Sequence, residues 1–459
     1  MIHNGSVKAI EDYVGALGLD AYLVGGAVRD ELLGRESNDA DFLVPGVDID
    51  GLRRVLSPHG RVEELVVAGR PVGMRLFPRA REPRKLAPAG IEFAPPRRER
   101  STGPGRHDFE ILVDPEATIE EDLGRRDFTI NAVARRLADG TLVDPFDGRR
   151  DLEQRVLRTV SRQSFAEDPL RLVRGLRFIS QLDLEPDEET LAQMHEEAAS
   201  VALVSGERIG GGLSTDGMGE LSKLLLGSHP LKALRVARVT GVLVALLPEF
   251  GPAIGFDPRS DDHGLTLDEH IFTVVQAAAG AGAPLRVRLA TLFHDLGKPH
   301  AGGRDHAAVG AELTDAALRR LRYPNGLRER VVRIVRFHPF DLGTEDALEA
   351  RTLLARHGDG IVLDLLDHWQ ADLLGRDQSA RTVEKLERLR NFRRLVKQEL
   401  TSPHRLSDLA VDGTDLIELG YVPGPALGRA LDDLLQTVVT DPSLNRRDAL
   451  LARALELLA

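Results

Sequence analysis

Apolar residues are distributed differently in the first third of the chain and in the rest. Short apolar runs bounded by Gly, Pro and Asp predict β-strands. These runs lie at residues 21–24, 39–44, 72–77, 90–94, 109–113 and 141–143. Later apolar stretches, such as residues 285–293, are typical of helices. We therefore predict an α+β protein, with a small mixed α/β head followed by mostly helical segments.

The first predicted strand ends in a glycine turn. Gly25 and Gly26 follow it directly, so backbone N–H groups can approach a phosphate without a Cβ in the way. Arg29 adds a positive charge next to this turn.

Two carboxylates begin the second predicted strand. Asp39 and Asp41 are two residues apart, so their side chains share one face. Carboxylate oxygens suit Mg²⁺, which can bridge protein and phosphate. Either motif alone also fits a turn with solvated aspartates. In this order, the two motifs indicate nucleotide polymerisation.

Further candidate residues follow in the head and just beyond it. Glu92 interrupts an apolar strand, which is costly unless it is paired, solvated or bound to metal. We expect it to be a third catalytic carboxylate. Asp127 can cap a helix, or accept a bond from a ribose hydroxyl while Arg126 contacts phosphate.

A second acid–base pair, Asp168 and Arg171, opens a later predicted helix. The two residues can form an intrahelical ion pair worth about 0.2–0.5 kcal/mol. Alternatively, a carboxylate acceptor beside a guanidinium donor matches the amino group and ring nitrogen of cytosine or adenine. Guanine and uracil present the reverse pattern.

Composition limits the class of protein. A length of 459 residues suggests about three domains or more. The net charge of −12 argues against nonspecific coating of nucleic acid. The chain has no cysteine, no apolar run long enough to span a bilayer and no signal peptide at its start. We expect a cytoplasmic protein without a membrane partner, and no protein partner is evident.

Histidines and aspartates recur in the middle of the chain. They are His270, His294, Asp295, His306, His338 and Asp372. In this order they resemble the HD-domain metal phosphohydrolases. That resemblance implies a site for a divalent metal of unknown identity that activates water. A decayed HD fold that serves only as a scaffold is the alternative.

Five motifs in order resemble the class II tRNA nucleotidyltransferases, the CCA-adding enzymes, and their bacterial poly(A) polymerase relatives. They are Gly25-Gly26-x-x-Arg29-Asp30, Asp39-x-Asp41, Arg125-Arg126-Asp127-x-Thr129, Glu167-Asp168-x-x-Arg171 and Ser205-Gly206-Glu207-Arg208-Ile209. The resemblance implies that Asp39 and Asp41 hold catalytic Mg²⁺. It also implies the nucleotide-binding residues Gly25, Gly26, Arg29, Arg126, Asp127, Asp168, Arg171, Arg174 and Arg177.

The resemblance also implies a division of the chain into four parts. These are a nucleotidyltransferase head at 1–150, a helical neck that recognises the base at 151–255, an HD phosphohydrolase-like domain at 256–375, and a helical body and tail for tRNA at 376–459. One departure is the glycine-rich run at 210–219, where family members continue in a helix. We expect the helix to be broken there.

The function implied is addition of CCA to the 3′ end of tRNA from CTP and ATP, with release of pyrophosphate. Poly(A) polymerase, or an enzyme that adds only CC or only A, remains open. So does a phosphohydrolase whose inactive head only binds RNA.

Overall fold

The computed structural model describes most of the chain. The described residues are 4–35, 41–67, 69–101, 109–114, 116–212, 217–257, 264–339, 343–376 and 379–458. They form two compact units, one made of residues 1–209 and 232–248 and the other of residues 210–231 and 249–459. The four-part division expected from the sequence stays a prediction.

All the described strands lie in the first unit. They are β1 (Tyr22–Val24), β2 (Asp41–Leu43), β3 (Gly60–Val67), β4 (Arg70–Pro78), β5 (Ile91–Ala94), β6 (Arg97–Ser101), β7 (Phe109–Val113), β8 (Ala134–Arg136), β9 (Leu142–Val143), β10 (Val156–Leu157) and β11 (Glu185–Pro186). Within the described residues, one sheet has the order β3-β4-β5-β2-β1-β8-β9, while β6 pairs with β7 and β10 with β11. The sequence pattern missed β3, an edge strand whose charged residues hide the apolar alternation.

The centre of the large sheet sets the position of the candidate carboxylates. Strand β2 pairs antiparallel with β1, which places Asp41 opposite Val24. It pairs parallel with β5, which places Asp41 opposite Glu92. Arg75 of β4 lies opposite Glu92 in turn. Because paired residues on neighbouring strands point to the same face, Asp41, Glu92 and Arg75 form a row across the sheet.

Apolar residues cover both faces of this sheet. Phe42 and Phe93 belong to one buried cluster, and their rings lie 5.6 Å apart. Leu43 belongs to a second cluster, together with Leu123. A slip of one residue in β2 would turn Asp41 into the first cluster in place of Phe42, so burial of the two faces specifies the register.

Helices make up most of the remaining chain, as the sequence predicted. Before residue 250 they are α1 (Asn4–Gly15), α2 (Gly26–Leu32), α3 (Ile49–Leu56), α4 (Arg81–Leu86), α5 (Ile119–Gly124), α6 (Gly148–Glu153), α7 (Ser164–Glu167), α8 (Leu170–Leu182), α9 (Glu188–Glu196), α10 (Gly206–Gly210), α11 (Glu220–Leu225), α12 (Pro230–Val239) and α13 (Val242–Leu246). After it they are α14 (Leu267–Gly280), α15 (Leu285–Phe293), α16 (His306–Arg320), α17 (Asn325–Phe337), α18 (Ala347–His357), α19 (Asp359–Leu374), α20 (Ala380–Glu399), α21 (Gly413–Glu418), α22 (Pro425–Thr440) and α23 (Arg447–Leu458). Short 3-10 helices lie at Ser57–His59, Thr129–Asn131, Ala198–Leu203, Pro248–Ala253, Lys298–His300, Leu406–Asp408 and Pro442–Leu444.

Several helices begin at a side-chain cap. Thr118 and Glu121 form a reciprocal capping box at the start of α5. Ser379 accepts a bond from the Thr382 amide at the start of α20. Among the described helices, none combines the length and the apolar character needed to cross a bilayer.

The glycine-rich run interrupts the helix as expected, since α10 ends at Gly210 and α11 begins at Glu220. Gly217 lies in the left-handed region at φ +69°. Its carbonyl accepts a 2.6 Å bond from Ser222 Oγ, which also lies 2.9 Å from the buried hydroxyl of Tyr323. A Cβ on Gly210 would lie 2.2 Å from the Leu321 carbonyl oxygen. The described ends of the run, at Gly210 and Gly217, are therefore packed closely against the turn before α17.

We expect Gly210→Ala to lower the free energy of unfolding by about 1–3 kcal/mol, because a backbone oxygen cannot move aside as a flexible side chain can. Trp369, the single tryptophan, lies in the same unit and reports its unfolding by fluorescence in urea. Gly326→Ala is the matched control, since a Cβ there meets nothing within 4 Å. Equal stability of the two variants would contradict this account of the glycine run.

Candidate functional site

The glycine turn at Gly25 and Gly26 adjoins Asp41. Gly25 lies at φ +70° between β1 and α2, a conformation that L side chains rarely adopt. A Cβ on Gly25 would lie 2.9 Å from Nη1 of Arg126. Since Val24 lies opposite Asp41, the turn begins beside that residue. The two motifs that the sequence analysis joined are therefore neighbours in space.

Asp41 and Glu92 form a pair of adjacent carboxylates. Asp41 is exposed at the start of β2. Glu92 accepts a 3.1 Å bond from Arg75 Nε and a second, shorter bond from Arg75 Nη2. Asp39 lies outside the described residues. Carboxylate oxygens on adjacent strands are hard ligands, so this donor set fits Mg²⁺.

Arg29 is held in a network with two other polar residues. Its Nε and Nη2 donate to Asp30 Oδ1 at 2.9 and 2.8 Å. Its Nη1 donates to Asn131 Oδ1 at 2.8 Å. Asn131 in turn donates to Asp127 Oδ1 at 2.9 Å. The sequence analysis did not assign Asn131, although it is part of the same segment as Arg126 and Asp127.

Asp127 is buried and takes its hydrogen bonds from the protein. Arg174 Nε donates to Oδ2 at 2.8 Å, and the Phe128 amide donates to Oδ1 at 2.9 Å. Burial by itself would raise the pKa of Asp127, but Arg174 and Asn131 hold that pKa below its usual range. Asp127 is therefore ionised and fixes the position of Arg174.

A second buried carboxylate, Asp122, was missed by the sequence analysis. Arg125 donates to Asp122 Oδ1 from Nε at 3.0 Å, and Arg126 Nη2 donates to Oδ2 at 3.3 Å. Burial opposes ionisation, but the two arginines hold the pKa of Asp122 below its usual range. The signal in the sequence was its spacing of three and four residues from Arg125 and Arg126 on one helical face.

Three of the predicted arginines gather around one aromatic ring. The guanidinium carbons of Arg29, Arg174 and Arg177 lie 5.2, 5.8 and 4.3 Å from the centre of the buried Phe178 ring. Such contacts with the face of a ring stabilise closely spaced cations. The result is a positive cluster that can bind phosphate groups.

Asp168 and Arg171 do not form the intrahelical ion pair that the sequence analysis considered, and each binds another residue. Asp168 has extended backbone angles because Pro169 follows it, so it precedes α8 instead of joining it. Its two oxygens accept from Arg208 Nη1 and Nη2 at 3.1 and 2.7 Å. Arg171 donates instead to Glu167, at 2.9 Å. Arg208 belongs to the fifth matched motif, but no role was predicted for it.

Arg171 has a further anchor. Its Nη2 donates to the Arg125 carbonyl oxygen at 2.7 Å, and its Nη1 donates to the Ser164 carbonyl oxygen at 3.1 Å. Because these partners come from separate segments, Arg171 is held in one orientation.

In the second unit, four histidines face one carboxylate. His270 and His294 Nε2 lie 3.6 and 3.2 Å from Asp295 Oδ2. His306 and His338 Nε2 lie 3.7 and 3.4 Å from Asp295 Oδ1. The two oxygens of Asp295 therefore face different histidine pairs.

Asp372 completes this cluster from α19. Its Oδ1 lies 3.2 Å from His270 Nε2 and 3.8 Å from His294 Nε2. Burial by itself would raise the pKa of Asp372, but His270 and Arg376 hold it below its usual range. The same balance, with His294 and Lys298 opposing burial, holds the pKa of Asp295 well below its usual range. All six residues predicted for the HD site therefore come together.

Hydrogen bonds fix the tautomers of two of these rings. Nδ1 of His294 lies 2.8 Å from the Thr291 carbonyl, and Nδ1 of His338 lies 2.7 Å from the Val335 carbonyl. A carbonyl only accepts, so both Nδ1 atoms carry protons. Nε2 is then the atom of each ring that faces the carboxylate of Asp295. A proton or a metal ion is needed between such a nitrogen and a carboxylate, and imidazole Nε2 is a common metal ligand.

His368 is a buried neighbour that the sequence analysis missed. Its ring centre lies 5.1 Å from that of His294. Neither ring nitrogen has a hydrogen-bond partner in the part of the chain that the structure describes. Burial lowers the pKa of His368 well below its usual range, so the ring is neutral. Its spacing of four residues from Asp372 in α19 was the available signal.

The cluster opens into a cavity of about 310 Å³. The cavity is lined by His294, Asp295, Lys298, His306, His338, Pro339, Trp369, Asp372, Leu373, Arg376, Lys385, Arg388 and Leu389. Two groups of side chains can each hold a metal ion, namely His270 with His294 and Asp295, and Asp295 with His306 and His338. Asp295 is common to both.

Three segments match known families. Residues 21–158 match the "Poly A polymerase head domain", residues 183–254 the "Probable RNA and SrmB- binding site of polymerase A", and residues 267–390 the "HD domain".

Curated proteins match over most of the chain. The Multifunctional CCA protein of Alkalilimnicola ehrlichii is 39% identical over 335 residues, which cover 70% of this chain and 74% of that protein. The Multifunctional CCA protein of Azoarcus sp. is 38% identical over 348 residues, which cover 72% and 76%.

Solved structures share the fold. The Bacillus stearothermophilus CCA-adding enzyme in complex with CTP aligns with a TM-score of 0.69 at 25% identity, over 98% of this chain and 95% of that one. The Thermotoga maritima CCA-adding enzyme complexed with tRNA aligns with a TM-score of 0.59 at 21% identity, over 99% and 95%. The predicted α+β fold class is thereby confirmed. By its identity and coverage with the curated relatives, the chain belongs to the multifunctional CCA protein family and carries an HD domain.

Proposed function

We propose that the protein adds CCA to the 3′ end of tRNA from CTP and ATP and releases pyrophosphate. The observation that carries this proposal is the strand register that joins the Gly25 turn, Asp41 and Glu92 at one place. The curated relatives, which are Multifunctional CCA proteins, and the related CCA-adding enzyme solved in complex with CTP support it. A tRNA substrate also implies a cytoplasmic location.

In the head, Asp39 and Asp41 would hold Mg²⁺, with Glu92 beside Asp41. When bound, Mg²⁺ stabilises the charge of the triphosphate and of the leaving pyrophosphate. The 3′ hydroxyl of the RNA attacks the α-phosphate, and the bond to the β-phosphate breaks. Arg29 and Arg126 would bind phosphate oxygens beside the Gly25–Gly26 turn.

Asp127 would accept a bond from the ribose hydroxyl. The protein supplies two donors to each of its oxygens, and two of the four come from Arg174. The hydroxyl would replace one Arg174 bond while the other keeps the guanidinium in place, so that Arg174 and Arg177 would contact phosphate from their present positions.

Base selection would fall to Asp168 and Arg171. An acceptor and a donor held in fixed positions match cytosine and adenine and reject the reverse pattern of guanine and uracil. Arg208 holds the Asp168 carboxylate with two bonds. We therefore assign Arg208 as a positioning residue for base selection.

The HD cluster would form a metal-dependent phosphohydrolase site. His270, His294, Asp295, His306, His338 and Asp372 would hold one or two divalent ions. A bound ion lowers the pKa of its water, so hydroxide is available near neutral pH. The chain's own side chains orient the phosphoester and exclude bulk water. Lys298, which donates to Asp295 Oδ2 at 2.6 Å, keeps that carboxylate oriented.

The RNA itself would be held by the neck and the helical tail at 376–459. The match of residues 183–254 to an RNA-binding segment supports the first of these assignments.

We expect CTP to extend tRNA transcripts that end at the discriminator base by two residues, and ATP then to add one residue and stop. Labelled-nucleotide incorporation into transcripts that end at the discriminator base, at C or at CC measures this directly. ATP tailing of any RNA would make the protein a poly(A) polymerase, and addition at one stage alone would make it a partial enzyme.

The Asp41→Asn variant, measured in the same incorporation assay, tests whether the head is catalytically active. Loss of several kcal/mol of charge stabilisation predicts a rate at least about 100-fold lower. HD phosphohydrolase activity should be unchanged. Asp50→Asn, an exposed acid at the start of α3, is the control. Full incorporation by Asp41→Asn would show that Asp41 is not a metal ligand.

Arg208→Ala should relax base selection. Removal of two charge-assisted bonds frees the Asp168 carboxylate, so kcat/KM for CTP should fall about 10- to 100-fold while that for UTP changes little. Glu207→Ala, on the exposed side of the same helix, is the control. An equal fall for both nucleotides would mean that Arg208 only stabilises the fold.

His294→Ala should remove bound divalent metal and abolish phosphoester hydrolysis without changing CTP incorporation. Metal content of the purified protein, measured by mass spectrometry, is independent of activity. His195→Ala replaces an exposed histidine of the first unit and serves as the control. Unchanged metal content in His294→Ala would refute the assigned ligand set.

A further inference from the structure

The cavity above the HD cluster contains more positive charge than a single phosphate needs. Four cations line it, namely Lys298, Arg376, Lys385 and Arg388. They lie around the same space as the cluster residues. The cavity is therefore suited to an anionic ligand, since the metal ligands and four cations line the same space.

Three of these cations are engaged with carboxylates of the protein. Lys298 donates to Asp295 at 2.6 Å, and Arg376 Nη2 donates to Asp372 Oδ2 at 2.7 Å. Both therefore neutralise ligands of the cluster. Arg388 Nε donates to Glu345 Oε1 at 2.5 Å, which holds its guanidinium in place.

Lys385 differs from the other three. In the described ranges of the chain, no carboxylate lies within ion-pair distance of it. It is half-buried on α20, one helical turn before Leu389 and three residues before Arg388. An ammonium group that is partly removed from water and has no counter-ion gains energy by binding an anion.

Apolar groups also line this cavity. They are Pro339, Trp369, Leu373 and Leu389. Trp369 Nε1 donates to the His338 carbonyl at 2.9 Å, so its ring orientation is fixed. An aromatic and aliphatic wall suits a ribose or a base. A volume of about 310 Å³ lies at the lower end of the range for small-ligand pockets, so it suits one nucleotide unit instead of a longer segment.

We propose that Lys385, with Arg388 beside it, forms a second anion subsite of the HD cavity, which binds the 5′-phosphate of a nucleotide whose 2′ or 3′ phosphate lies at the metal ligands. This inference rests on the proposed phosphohydrolase function. The preferred substrate class is then a nucleotide with two phosphate groups, as at the phosphorylated or cyclised 3′ end of an RNA. In hydrolysis, water adds to the terminal phosphorus, the ribose P–O bond breaks, and the ribose oxygen takes the proton.

The test uses the full-length protein with Mn²⁺ or Ni²⁺ and two matched pairs of compounds. These are adenosine 3′-monophosphate and adenosine 2′,3′-cyclic phosphate, each with and without a 5′-phosphate. One charge-assisted hydrogen bond, worth about 1.4 kcal/mol, corresponds to tenfold in KM. We expect the 5′-phosphorylated member of each pair to have a KM about tenfold lower, with similar kcat.

Lys385→Ala should remove this preference by raising the KM of the 5′-phosphorylated compounds about tenfold, and should leave the other compounds unchanged. Lys385→Arg should restore most of it. Lys397→Ala, at an exposed position of the same helix, removes the same charge outside the cavity and should have no effect. An equal loss of this preference in Lys385→Ala and Lys397→Ala would mean that it arises from the overall charge of the protein. That result would overturn the subsite.

The outcomes distinguish failure of the Lys385 subsite from failure of the phosphohydrolase function. Hydrolysis of all compounds with equal KM, unaffected by Lys385→Ala, would overturn the subsite and leave the phosphohydrolase function intact. No hydrolysis of any compound by the wild type would overturn the phosphohydrolase function. In that case, binding of adenosine 3′,5′-bisphosphate measured by calorimetry still tests the subsite, because equal affinity for wild type and Lys385→Ala would overturn it.

Discussion

The pairing of β2 between β1 and β5 is the constraint on which the head depends. It places Asp41 beside both the end of β1, where the Gly25 turn begins, and Glu92. The register is specified by apolar side chains on both faces, since a slip of one residue would bury a carboxylate and expose a phenylalanine. The apolar core therefore determines where the hard oxygen ligands lie, although none of its residues carries out chemistry.

Buried and partly buried carboxylates position the arginines of the head in a similar way. Asp122, Asp127 and Asp168 each receive bonds from one or two guanidinium groups. An arginine that is already held loses less side-chain entropy when a ligand binds. The same ion pairs hold cations in the head of a protein whose net charge is −12. Acidic composition and anion binding are thus compatible.

The HD cluster differs from the head, because its carboxylates face histidines. Its histidine Nε2 atoms and carboxylates face one another at 3.2–3.8 Å, an arrangement that needs a proton or a metal ion between them. Hydrogen bonds to backbone carbonyls hold the Nδ1 atoms of His294 and His338 in place. The two rings therefore cannot turn their Nε2 atoms away from the carboxylates. The folded scaffold thus maintains an acceptor-rich site in which a metal ion stabilises the ligands, while Lys298 and Arg376 balance part of the negative charge.

The sequence alone determined the fold class, the order of the motifs and most candidate residues, because glycine turns, alternating carboxylates and adjacent His–Asp pairs act over a few residues. It did not reveal the edge strand β3, nor Asp122, Asn131, Arg208 and His368, whose relevance depends on partners distant in the chain. It also suggested that Asp168 pairs with Arg171, whereas Pro169 keeps Asp168 out of the helix and Arg208, forty residues later, binds it. Only the tertiary structure decides such pairings, since side-chain partners are set by the packing of separate elements, which short-range patterns do not encode.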